Sequence, residues 1–75
     1  MKIIFSRHAK RRARLYNVPE PLVSTILAGL NVQQGEQTII KEVPGFRYPL
    51  KIVVSVDGDT ATVITNYPLK KGRKT

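Results

Sequence analysis

The alternation Leu50-Lys51-Ile52-Val53-Val54-Ser55-Val56 restricts what this chain can fold into more than any other stretch of it. Apolar residues at every second position place Leu50, Ile52, Val54 and Val56 on one face of a strand. Asp57-Gly58-Asp59 follows at once and suits a tight hairpin, and Thr60 to Asn66 (T-A-T-V-I-T-N) supplies a partner strand rich in β-branched residues. A hairpin with one apolar face must bury that face against something else.

The segments upstream predict the cover. Lys2-Ile3-Ile4-Phe5 reads as a short first strand. Ser6 can cap a helix that runs to about Asn17, because its hydroxyl can accept a backbone N–H left unpaired by the first turn. Val18-Pro19-Glu20-Pro21 then opens a second helix, since proline is tolerated where its missing N–H is not needed and Glu20 suits the positive end of the dipole. Leu22, Val23, Ile26, Leu27 and Leu30 share one side of that helix, Ser24 and Thr25 the other, and Gly29 is the candidate C-cap. Thr38 to Val43 reads as a strand ended by the turn dipeptide Pro44-Gly45. The expected fold is therefore α+β in the order β-α-α-β-β-β, with two N-terminal helices packed on one face of an antiparallel sheet. Residues 1–69 form one domain with a small core, and the basic stretch 70–75, which lacks an apolar anchor, is expected to be a mobile tail.

Charge narrows the partners. The 75 residues carry a formal net charge of +8. Residues 1–19 hold Lys2, Arg7, Lys10, Arg11, Arg12 and Arg14 and no acid; residues 70–75 hold Lys70, Lys71, Arg73 and Lys74; the five carboxylates lie between. Polyanions follow as expected partners, nucleic acid first and an acidic protein second, against the plainer reading of a solvated basic surface. With no cysteine, one histidine and scattered carboxylates, neither thiolate chemistry nor a zinc site is expected, and no cofactor is called for. Only three apolar residues separate Lys2 from Ser6, and no apolar run approaches a membrane span, so a cytoplasmic protein without membrane attachment is expected.

The stretch F-S-R-H-A-K-R-R-A-R-L-Y, residues 5–16, concentrates the chemistry. On a helix, His8 and Arg12 lie one turn apart inside an apolar arc that also holds Leu15, Tyr16, Ala9 and Ala13, while Arg7, Lys10, Arg11 and Arg14 fill the opposite side. Two polar groups on an inward side must be paired, hydrated or used. His8 is then either a proton carrier or a tie to a strand carbonyl; Arg12 is either a phosphate ligand or half of an ion pair with Glu42, Asp57 or Asp59.

Together, F-S-R-H-A-K-R-R at 5–12, the V-P-E-P helix opening and V-I-T-N-Y-P at 63–68 resemble a family of small bacterial and phage proteins described only as a domain of unknown function. Its members carry a His-Ala-x-x-Arg helix near the start and a Val-x-Thr-x-Tyr-Pro final strand. That family is similar in turn to the RelE/ParE toxins and to metal-independent ribonuclease toxins such as barnase and colicin nuclease domains. The resemblance covers about residues 3–70. It implies a RelE-like fold and a toxin-like RNA endonuclease, acting on RNA or ribosome-bound mRNA and silenced by an acidic antitoxin. It also carries Thr65 and Tyr67 into the site. Many RelE-type toxins continue into a C-terminal helix with active-site residues, whereas this sequence has seven residues after Pro68; ParE-type relatives act on DNA gyrase without cleaving nucleic acid.

Metal-independent RNA cleavage uses the substrate 2′-hydroxyl as nucleophile and needs a base, an acid and cations for the phosphate. An imidazole, with an ordinary pKa of about 6.5, can carry a proton either way near neutral pH. His8, Arg12 and Tyr67 are accordingly the expected catalytic group. Arg12 can hold a phosphate bidentately, and Tyr67 can donate to it or stack on an unpaired base. Arg7, Arg11, Arg14, Thr65, Lys70 and Lys71 are the expected nucleic-acid-binding surface. Arg47 and Tyr48, chosen on chemistry alone, add a second basic-aromatic pair. The competing expectation is a non-catalytic basic module that binds nucleic acid or inhibits another enzyme in the ParE manner.

Overall fold

The structure is a computed structural model that describes residues 1–69; the predicted contacts Lys70 and Lys71 lie outside the described residues. Its centre is the expected hairpin, β3 (Leu50–Asp57) against β4 (Thr60–Pro68), with Asp57 opposite Thr60 and Leu50 opposite Pro68. Gly58 and Asp59 make the connection, and Gly58 takes φ 63°, the left-handed first position of a type II′ turn that glycine occupies without strain. The Gln34 side chain clasps this turn from outside: its amide donates to the Gly58 carbonyl (3.1 Å) and accepts from the Gly58 N–H (2.8 Å).

One irregularity governs the rest of β4. Val54 pairs with Val63 but Val53 pairs with Thr65, so Ile64 is an extra residue bulged out of the ladder. Ahead of the bulge, Ala61 and Val63 point into the core; beyond it the inward position falls to Asn66, which is fully buried opposite Ile52. Tyr67, two residues on from Thr65, is thereby turned to the opposite face, across from Lys51.

The sheet has the order β1-β4-β3-β2 and is mixed rather than antiparallel throughout. β1 (Lys2–Phe5) runs parallel to β4, with Ile3 opposite Ala61 and Phe5 opposite Val63. Parallel neighbours need a long connection, and residues 6–59 are that connection. β2 (Gly35–Lys41) lies antiparallel to β3 and is shifted towards the N-terminus relative to the predicted 38–43. Glu42 and Val43 have already left the ladder, because the Phe46 N–H bonds back to the Val43 carbonyl (3.0 Å) and starts the turn there.

Two helices cover one face. α1 (Arg7–Leu15) begins at Ser6, whose hydroxyl accepts from the Ala9 N–H (3.0 Å) and donates to the Ile64 carbonyl (2.9 Å), while its own N–H reaches the Val63 carbonyl (3.0 Å). A single serine thus caps the helix and moors it at the bulge. α1 ends in a Schellman motif: Asn17 sits at φ 57°, its N–H bonds to the Arg14 carbonyl, and the Val18 N–H bonds to the Ala13 carbonyl (2.8 Å). α2 (Glu20–Ala28) closes at Gly29, as expected, but Leu30 lies past its end instead of on the stripe. Ala9, Ala13, Val23 and Leu27 from the helices meet Leu50, Ile52, Val54, Val56, Ala61 and Val63 from the sheet in one buried core. No helix among the described residues is long and apolar enough to cross a membrane.

Candidate nucleic-acid interface

Only alanines of α1 are buried, so the helix rests close on the sheet and its long side chains must go elsewhere. This narrows the predicted inward arc to its alanine end. The buried direction is that of Ala9 and Ala13; His8 is exposed and Leu15 is 66% exposed. Arg12, half-buried, lies between the two directions.

Its guanidinium carbon stands 5.4 Å from the centroid of the Tyr67 ring, and Lys51 Nζ stands 5.7 Å from the same centroid. Lys51 reaches the ring as a cross-strand neighbour on the sheet face away from the helices. Arg12 starts from the helix layer, and beyond Val63 that edge of β4 has no strand partner among the described residues, because β1 stops at Phe5. The ring's negative face attracts each cation by about 0.5–2 kcal/mol, depending on how far water is excluded. Each of these cations can hold a phosphate, with an aromatic plane alongside for a base.

Asn66 was not foreseen as part of this arrangement. Its amide donates to the Ala9 carbonyl (3.2 Å), a second tie between β4 and the first turn of α1. Its Oδ1 is buried and has no hydrogen-bond partner among the described residues. Asparagine is a poor strand former; its presence inside V-I-T-N-Y-P was the available signal.

The other predicted residues divide. Arg7, Arg11 and Arg14 are exposed, as a backbone-tracking surface needs. Arg14, with Lys10 and Glu20, borders a depression of about 360 Å³ where α1 turns into α2, lined by different residues from the Tyr67 group. Thr65 shares a face with Tyr67, but its hydroxyl oxygen is buried, with no hydrogen-bond partner among the described residues, so it does not present that oxygen to a ligand. Arg47 and Tyr48 line a separate hollow of about 390 Å³ in the β2–β3 connection. Among the described residues, no three His, Asp or Glu side chains converge as metal ligands do.

The arrangement, then, joins a guanidinium, an ammonium and a phenol at one corner of the sheet, and the exposed His8 lies one helical turn before the guanidinium in α1. Comparison of the chain with protein-family models, with curated proteins and with solved structures finds no match in any of the three.

Proposed function

We propose that this chain is a RelE-like, toxin-like endoribonuclease that acts in the cytoplasm without a metal and is held silent by an acidic antitoxin. The observation that supports it is the convergence of Arg12 and Lys51 on the ring of Tyr67, one helical turn from the only histidine. In this reading Arg12 and Lys51 hold the scissile phosphate and stabilise the charge that builds on its oxygens, while the Tyr67 hydroxyl donates to it. His8 carries one of the two protons that must move: the 2′-hydroxyl loses one as its oxygen attacks phosphorus, and the departing 5′-oxygen gains one. The products are a 2′,3′-cyclic phosphate and a 5′-hydroxyl. The exposed cations of α1 track the flanking backbone, and the same surface suits the antitoxin.

The test is incubation of purified protein with single-stranded RNA in excess chelator, followed by end analysis. Cyclic-phosphate and 5′-hydroxyl ends should form with wild type, and fall at least a hundredfold with His8→Ala, in line with the usual contribution of a general acid or base. RNA left intact both free and in a translating extract overturns the proposal.

The exposure of His8 favours a second reading, because a solvated ring is less firmly aimed than catalytic groups generally are. In that version the chain grips RNA without cutting it: binding falls steeply with salt, no new ends appear, and His8→Ala changes nothing.

A further inference from the structure

The hollow in the β2–β3 connection is not used by that reading. It is lined by Glu42, Val43, Pro44, Phe46, Arg47, Tyr48 and Pro49, and its volume of about 390 Å³ is in the range of small-ligand sites. Val43, Phe46, Tyr48 and Pro49 are half-buried and form apolar and aromatic walls, while Glu42 and Arg47 are exposed at the rim. Two aromatic side chains, a carboxylate and a guanidinium around one opening are the parts needed to hold a planar heterocycle and read its edge.

Its place in the fold ties it to the phosphate group. The Leu69 N–H bonds to the Pro49 carbonyl (2.7 Å), Leu50 is opposite Pro68, and Lys51 is opposite Tyr67. Pro49, the last wall residue, immediately precedes β3 and is two residues before the lysine that stands over the Tyr67 ring.

The sign of Glu42 selects the base. On a chain with net charge +8 that draws RNA by its cations, a carboxylate beside the phosphate group weakens backbone attraction, and it is accounted for if it accepts from a base. Guanine alone among the four bases presents two adjacent donors, N1–H and N2–H₂, on its pairing edge. Adenine and cytosine set a ring-nitrogen acceptor next to their amino group, and uracil flanks its single N–H with carbonyls; each turns an acceptor towards a carboxylate. The opposite edge of guanine carries O6 and N7, both acceptors, which arginine binds bidentately.

We propose that residues 42–49 form a guanine-binding subsite, with Glu42 on the N1–N2 edge, Arg47 on the O6–N7 edge or the adjoining phosphate, and Phe46 and Tyr48 against the ring. The subsite rests on the RNA reading above and gives it a sequence preference.

The test measures binding of three labelled decamers to the whole chain: ten uridines, the same with one central guanosine, and the same with one central adenosine. Guanosine monophosphate titrated alone, with backbone amide shifts read by NMR, reports on the hollow directly. The guanosine decamer should bind about tenfold more tightly than the other two, as one bidentate base-edge contact provides. Guanosine monophosphate should shift the amides of residues 42–48. Glu42→Gln, at an exposed position, should erase the preference while binding the uridine decamer at least as tightly as wild type, since one negative charge is gone, and Tyr48→Ala should weaken the guanosine decamer selectively. Equal binding of the three decamers by wild type, or a preference that survives both substitutions, overturns the subsite and leaves RNA binding standing. If no decamer binds yet guanosine monophosphate shifts residues 42–48, the RNA reading falls and the subsite remains; if neither binds, both are lost.

Discussion

Helices α1 and α2 are each nine residues long, and each buries two residues in the same core, but they grip the sheet differently. α2 inserts Val23 and Leu27, both without solvent exposure, and contributes no charge beyond Glu20. α1 inserts only Ala9 and Ala13 and is fastened by polar ties instead: Ser6 to the carbonyls of Val63 and Ile64, and Asn66 to the carbonyl of Ala9. Short side chains let a helix backbone come close enough to a strand for such ties, and they leave its long basic side chains free. Apolar volume comes from one helix and reach from the other. A small domain can therefore carry a dense cationic helix with none of its charges fully buried, because the helix beside it does most of the apolar filling.

Four variants break or sharpen that division, in decreasing order of expected effect on stability. Leu27→Ala removes the largest buried helical side chain and should cost about 2–5 kcal/mol, read as a fall in the urea midpoint. Since domains of this size hold roughly 0.05–0.15 kcal/mol per residue in total, much of the population should unfold, while the fraction that stays folded binds RNA normally. Ala9→Leu should cost about 1–3 kcal/mol by overpacking, and because it lifts α1 from β4 it should also weaken RNA binding. Stability lost without affinity would show that Arg12 does not depend on the close approach. Ser6→Ala should cost about 1 kcal/mol in the same urea assay, through loss of the cap and of its tie to Ile64. Arg11→Gln combined with Arg14→Gln should leave the midpoint within about 0.5 kcal/mol, as exposed changes usually do, but lower the slope of log affinity against log salt by about two. An unchanged slope would remove the exposed row of α1 from the binding surface.

The elements with a local signature were readable in advance. Alternation over 50–56, a glycine turn, a serine cap and two prolines in a first helical turn each act within a few residues, and the strands and helices fall where those signals put them. What escaped depends on contacts distant in the chain. Nothing between Lys2 and Phe5 states that this strand will run parallel to residues 60–63, because its hydrogen-bond partners are far away in sequence. The inward side of α1 reads from the sequence as a broad arc from Leu15 to Ala13 with His8 inside it, because apolar residues stand at both ends; the close approach of helix to sheet favours the alanine end and puts His8 in solvent. At the candidate site, Arg12 and Tyr67 were named from motif positions, and they do meet. Lys51, which completes their group, read only as an outward residue of a strand, and Glu42 read as part of a strand that ends one residue before it. Asn66 was hidden by the extra residue two positions before it, which strict alternation does not anticipate.

That extra residue sets the parity of everything downstream. With Ile64 removed in frame, the phenol of Tyr67 would swing towards Leu50 and Ile52, and the carboxamide of Asn66 would emerge among solvent, with no side chain altered in kind. The length of the last strand, counted in single residues, decides which chemistry this protein shows to its surroundings, so one lost codon there is a more drastic event than most substitutions.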